Sequence, residues 1–248
     1  MRYFIELSYN GKAYHGWQIQ PNAISVQEVL ENALTMLLNE KIAVLGAGRT
    51  DTGVHAKQMF AHFDFNNDFD QDQLIYKLNA FLPKDIAIQQ IRPVQSNAHA
   101  RFDALSRTYS YQISLKKDPF TFESAYLFKQ DLDIEKMNEA SHLLFNYKNF
   151  KSFSRSNTDV KTYNCKIMQA NWILKKDHLT FTIKADRFLR NMVRAIVGTL
   201  LDVGMGKVTL DEFKAIIESE DRTKAGASAP GQALYLTEIE YPEYIYNL

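Results

Sequence analysis

The stretch GAGRTDTGVHAKQMF, Gly46 to Phe60, decides how this chain is read. An apolar lead-in, Ile42 to Leu45, precedes two glycines, Arg49, Asp51 and His55, and an alternating aromatic run follows. Ile42 to Ala47 and Lys57 to Phe65 therefore read as strands on either side of a glycine-flanked turn. Working outward, Tyr3 to Tyr9 alternates like a strand. Val26, Val29, Leu30, Ala33, Leu34, Leu37 and Leu38 follow the three-four spacing of a helix with one buried side. Leu74, Ile75, Leu78 and Phe81 give a second helix, stopped near Pro83, and Ile86 to Val94 is a further strand.

A similar order recurs. Arg107 to Leu115 reads as a strand and Ile134 to Leu144 as a helix. Lys161 to Leu174 and Leu179 to Ala185 form a hairpin across Lys175-Lys176-Asp177-His178. Met192, Val193, Ile196, Val197, Leu200 and Leu201 make a helical stripe, closed by Gly204 and Gly206. Thr209, with Glu212 three residues on, caps a short helix, and Leu234 to Tyr241 is the last strand. The fold class is α+β, in two related β-α-β-β-α-β (ferredoxin-like) halves, 1–105 and 106–248. Antiparallel sheets with helices on one face are expected, with the site cleft between the halves.

The chain has 248 residues, 46% hydrophobic and 23% charged, enough apolar material for real cores. No apolar run reaches membrane-spanning length and no signal peptide is visible. One cysteine, Cys165, allows no internal disulfide, so a reducing, cytoplasmic setting is the default. Six histidines and one cysteine show no paired metal-ligand spacing, so no metal or cofactor is expected. The charge balances overall at 29 basic and 29 acidic residues. It is uneven, however: Lys151 to Leu200 holds ten lysines and arginines against Asp159, Asp177 and Asp186. That excess suits either a solvated lysine-rich face or a local surface for phosphates.

Asp51 admits several readings. Aspartate caps turns through its own side chain, and an Asp-Thr-Gly turn needs no chemistry. A phosphate loop fails for want of Gly-Lys-Ser/Thr, and a dinucleotide fingerprint fails on glycine spacing. Half of an aspartic-protease dyad fits the tripeptide but not the flank, because Arg49 favours the ionised carboxylate and opposes a shared proton. A lone ionised carboxylate suits nucleophilic attack or work on a glycosidic bond.

Gly46-Ala47-Gly48-Arg49-Thr50-Asp51-Thr52-Gly53-Val54-His55-Ala56 resembles the signature of the tRNA pseudouridine synthase A family, with Thr52 where the family commonly has Ala. Ala98 to Ala104 followed by Arg107-Thr108-Tyr109-Ser110-Tyr111 resembles its Ala-Arg-Phe and Arg-x-Tyr segment. Phe188-Leu189-Arg190-Asn191-Met192-Val193-Arg194 with Gly198 resembles its Met-Val-Arg helix. Ala229 to Leu236 resembles its Ala-Pro-x-x-Gly-Leu block, with Ala233 in place of the usual Gly.

The resemblance implies cofactor-free isomerisation of uridine to pseudouridine at positions 38 to 40 of the tRNA anticodon stem-loop, by a cytoplasmic homodimer. It makes Asp51 the nucleophile, with attack at ribose C1′ or uracil C6 both open. It makes Tyr109 the active-site tyrosine, which can stack on a flipped uracil and move a proton. It pairs Arg194 with the aspartate through two-pronged geometry. Arg49 is assigned to RNA, Leu234 to the uracil pocket, and Lys175, Lys176, Arg187 and Arg190 to the RNA path. On a helix, Arg187, Arg190 and Arg194 would share one face. A non-catalytic RNA-binding module of the same fold is the rival reading.

Overall fold

The structure is a computed structural model that describes residues 1–155 and 160–247. Asp159, counted above, lies outside the described residues. The chain splits into two compact units, Met1–Leu105 with Tyr235–Leu248, and Ser106–Leu234. Among the described residues the elements are strands β1–β9 and helices α1–α5, an α+β chain.

In the first unit, β1 (Arg2–Tyr9) lies between β4 (Ile86–Val94) and β3 (His55–Asp64), antiparallel to both. The short β2 (Leu45–Gly46) pairs with His62 and Ala61 of β3. Ile42 to Val44 do not join that ladder. Polar side chains of α1 (Val26–Leu38) take their backbone groups instead: Ile42 N–H donates to Thr35 at 3.0 Å, Val44 N–H to Glu31 at 2.9 Å, and Val44 O accepts from Gln27 at 3.0 Å. Helix α1 begins at Ser25, whose hydroxyl accepts from Glu28 N–H, as a cap should. Helix α2 (Gln71–Phe81) packs on α1 and β4. Ile5, Leu7, Leu30, Leu34, Met59 and Leu78 are fully buried in this unit's core.

Strand β9 (Leu234–Glu240) corrects one expectation. His55 and Ala56 pair with Tyr235 and Leu236 in parallel, so the sheet is mixed rather than purely antiparallel. Residues 235–248, read in the sequence with the second half, cluster with the first unit. The ties are specific: Leu105 N–H donates to Glu240 O at 2.8 Å and Ile239 N–H to the Gln58 side chain at 2.8 Å.

In the second unit, β8 (His178–Ala185) pairs antiparallel with β5 (Ser106–Ser114) and β7 (Ile167–Lys175), while β6 (Tyr126–Leu127) adds to β5 in parallel. Strand β7 starts later than its sequence pattern suggests. Residues 163–165 bond elsewhere, with Phe150 N–H donating to Tyr163 O and Cys165 N–H to Lys148 O. Helix α3 (Ile134–Leu143) packs on β7 and on α4 (Met192–Gly204). Helix α5 (Leu210–Glu218) has the expected capping box of Thr209 and Glu212. Helix α4 shows more than the expected stripe, since all but Arg194 and Asp202 are buried along its length. A helix apolar nearly all round is one enclosed on every side.

Candidate active site

The segment between β2 and β3 carries Arg49 and Asp51, and residues 14–17 hold its main chain. Gly53 N–H donates to Tyr14 O at 3.3 Å, and Trp17 N–H to Thr50 O at 3.3 Å. Within the segment, Val54 N–H closes a turn onto Asp51 O at 3.1 Å. Tyr9 and Thr50 share a buried hydroxyl–hydroxyl bond of 2.9 Å. The approach is close enough that a Cβ at Gly16, whose φ is +90°, would collide with the Thr50 carbonyl. Only glycine combines that left-handed backbone with that contact. Asp51 is consequently half-buried, with Arg49 and Thr52 exposed on either side. These ties are largely backbone to backbone and do not pass through the Asp51 carboxylate.

His55, given no role in the sequence reading, is part of this brace. Gly11 N–H donates to its Nδ1 at 3.1 Å, so that nitrogen carries no proton, and the ring stacks on Tyr235 at 4.6 Å. The brace residues Tyr9, Tyr14, Gly16 and Trp17 were also missed. Their one sequence signal was an aromatic and glycine-rich run, YNGKAYHGW, lying between a strand and a helix. Tyr14 is itself anchored by donating to Asp85 at 2.7 Å, and burial, followed by that bond, raises its phenol pKa.

In the second unit, Tyr109 lies on the same side of β5 as Arg107 and the fully buried Tyr111, following the two-residue alternation. Tyr109 is half-buried and meets Phe188 edge-on at 5.2 Å. Tyr111 donates to Pro230 O at 2.9 Å. Burial pushes its phenol pKa well up, against the opposing pull of the Arg194 charge. Arg194 stands in the first turn of α4 and is half-buried. Its Nε donates to Ala229 O at 2.7 Å, and its own carbonyl accepts from Ala229 N–H at 3.0 Å. The 222–230 segment is thus laid along α4. Asn191 Nδ2 donates to Ser228 at 2.6 Å, Gly226 N–H donates to Thr199 at 2.9 Å, and a Cβ at Gly198 would strike the Ala227 carbonyl.

The expected helical alignment of Arg187, Arg190 and Arg194 is not found. Helix α4 begins at Met192, and Asn191 before it takes a left-handed φ of +67°, which breaks the periodicity. Arg187 is half-buried and Arg190 exposed on the connection from β8. Lys175 pairs with His178 across the β7–β8 turn, and both Lys175 and Lys176 are exposed. Leu234 is buried where β9 starts. Ala233, in the place of a usual glycine, closes a buried 3-10 turn at negative φ, so its side chain costs no strain. Cys165 is buried, and burial pushes its thiol up to about 12, far from a reactive thiolate. Among the described residues no helix is long and apolar enough to cross a membrane.

The first unit thus carries a half-buried carboxylate on a braced loop, and the second, by itself, carries a tethered arginine and an aromatic strand, in an α+β chain. A family model described as tRNA pseudouridine synthase matches residues 7–103 and 144–242. The tRNA pseudouridine synthase A of Parabacteroides distasonis is 56% identical over 246 residues, covering 99% of this chain and 98% of its own. That of Bacteroides fragilis is 55% identical over 248 residues, with 99% and 98% covered. That of Bacillus subtilis is 40% identical over 245 residues, with 97% and 99% covered. The chain belongs to the tRNA pseudouridine synthase family, isomerases acting on tRNA.

Proposed function

We propose that this isomerase converts uridine to pseudouridine at positions 38 to 40 of the tRNA anticodon stem-loop, with Asp51 as nucleophile and without metal or cofactor. The observation that carries the reading is Asp51 itself, half-buried on a loop braced by backbone hydrogen bonds. The net reaction breaks the N1–C1′ bond and forms a C5–C1′ bond. The C5 proton leaves and N1 ends protonated, so nothing is oxidised or reduced. A carboxylate that bonds transiently to ribose C1′ or uracil C6 holds the fragments while the base turns. Tyr109 offers a ring for stacking and a hydroxyl for moving the C5 proton, and Leu234 an apolar wall for uracil. In this reading Arg194 is the residue that orients the carboxylate, by two-pronged hydrogen bonding. Arg49, Lys175, Lys176, Arg187 and Arg190 meet the RNA. The active form is a homodimer in the cytoplasm, and each half is read as a ferredoxin-like unit.

The test is release of tritium from a tRNA transcript labelled at uridine C5, with chelator present and no cofactor added. The wild-type protein should release label and leave pseudouridine at positions 38 to 40. Modification mapped elsewhere overturns the site assignment. Turnover lost to chelator and restored by one divalent metal overturns the cofactor-free mechanism.

A further inference from the structure

Beside Lys175 and Lys176, already assigned to the RNA, the second unit gathers at one end of its sheet a turn that the reading above does not use. The connection from β5 to β6 runs Leu115-Lys116-Lys117-Asp118-Pro119-Phe120-Thr121-Phe122. It is fastened to the β7–β8 turn. Leu115 N–H donates to Asp177 O at 2.8 Å, Lys116 Nζ lies 3.0 Å from the Asp177 carboxylate, and His178 lies 3.9 Å from Asp118. Asp118 then folds the connection back on itself, accepting from Phe120 N–H at 2.9 Å and from the Thr121 hydroxyl at 3.0 Å. The outcome is an ordered turn that presents Phe120 at 92% exposure and Phe122 at 69%. Lys116, Lys117, Lys175 and Lys176 are exposed at the same end.

Two phenylalanines held out in water by an ordered turn have lost the apolar burial that ordinarily decides where phenylalanine goes. Two large apolar side chains exposed two residues apart on one fastened turn suit a surface for a partner. The surrounding charge selects the partner. Lysine is depleted from the cores of protein–protein interfaces. A single-stranded nucleic acid offers what both residue types take, phosphates for the ammonium groups and flat bases for the rings.

We propose that the 115–122 turn and the β7–β8 turn together form an RNA-docking surface, on which Phe120 and Phe122 stack with unpaired bases of the tRNA while Lys117, Lys175 and Lys176 contact its backbone. This rests on tRNA being the substrate and assigns residues that the catalytic centre does not contain. Stacking and ion pairing leave different marks. The stacking term is insensitive to salt, whereas each phosphate contact adds to the slope of log affinity against log salt.

The experiment measures tRNA affinity at several salt concentrations, solution mass and pseudouridine formation. It compares the wild-type protein, the Phe120→Ala/Phe122→Ala variant and the Lys117→Glu/Lys175→Glu variant. The phenylalanine variant should bind about ten-fold or more weakly at every salt concentration, with an unchanged slope. The lysine variant should bind more weakly with a flatter slope. Both should keep wild-type melting temperatures, since the altered side chains are exposed. Unchanged affinity in the phenylalanine variant overturns the proposal. A fall in solution mass with tRNA affinity retained overturns it in favour of a second copy of this chain. Tight tRNA binding by a wild-type protein that forms no pseudouridine overturns the function proposed above and leaves the surface to be decided by the two variants.

Discussion

The loop bearing Asp51 is tied by backbone bonds from Tyr14 and Trp17, whereas Arg194 is tied to Ala229 by its side chain as well as its backbone. In the first unit, framework and functional group are separable. The backbone bonds to Tyr14 and Trp17 and the Tyr9–Thr50 hydroxyl pair tie the loop through atoms other than the Asp51 carboxylate, so an amide of the same shape at position 51 should leave its course unchanged. In the second unit they are not. The guanidinium that would serve catalysis also satisfies the Ala229 carbonyl, so removing it costs structure as well as chemistry.

The largest contrast is expected from two substitutions made side by side. Asp51→Asn should lower pseudouridine formation at least about 1000-fold, as loss of a nucleophile does, with melting temperature and tRNA affinity close to wild type. Arg194→Met should lose activity and also about 1.5–3 kcal/mol of stability, the usual cost when a charged group's hydrogen bond is lost. Urea unfolding alongside turnover measures both. An Arg194→Met protein as stable as wild type would break the comparison, and so would an Asp51→Asn protein that unfolds.

Matched glycine changes sharpen it. Gly16→Ala places a methyl against the Thr50 carbonyl at a left-handed φ, and Gly198→Ala places one against the Ala227 carbonyl. Each should cost about 1–3 kcal/mol. Gly16→Ala should also slow turnover by moving the Asp51 loop. If it unfolds more easily yet turns over normally, residues 14–17 hold the fold and not the aspartate.

A third measurement separates the units by acid. His62, on β3 of the first unit, is buried; its Nδ1 accepts from Ala100 N–H at 3.2 Å, and its Nε2 makes no hydrogen bond. Burial, then the neighbouring His99 and Arg2, lowers its pKa to about 4, with Asp64 and Asp103 opposing. Folded His62 therefore binds its proton more weakly than unfolded His62. Its contribution to stability is whole above about pH 6.5 and is lost as pH falls toward 4. His62→Phe should flatten that part of the unfolding curve. A curve of unchanged shape would remove His62 as the cause.

The smallest effect belongs to Tyr9→Phe, which strips one hydroxyl from the brace. About 1 kcal/mol should be lost, with Asp51 still in place and turnover changed less than by Gly16→Ala. A larger loss of turnover from Tyr9→Phe would mean that the hydroxyl pair, and not the backbone ties, sets the loop.

Much of this was legible in the letters. The stripe from Val26 to Leu38 and the alternation from Ile86 to Val94 each became the element expected, because periodicity reports which side of an element is buried. The capping box at Thr209 and Glu212 is a local exchange of hydrogen bonds and needs no distant partner. Asp51 stood out because a carboxylate beside an arginine in a glycine-flanked turn is unusual chemistry within a few residues. Three things were decided only in three dimensions. Ile42 to Val44 left the sheet because side chains of α1 captured their backbone groups. Residues 235–248 joined the first unit because β9 pairs in parallel with a strand some 180 residues earlier in the chain. The brace of Tyr9, Tyr14 and Trp17 works through backbone atoms and one hydroxyl pair, and a backbone carbonyl accepts alike whatever side chain it carries. The sequence records what side chains prefer locally, while the pairing of identical backbone groups across long separations is settled by packing.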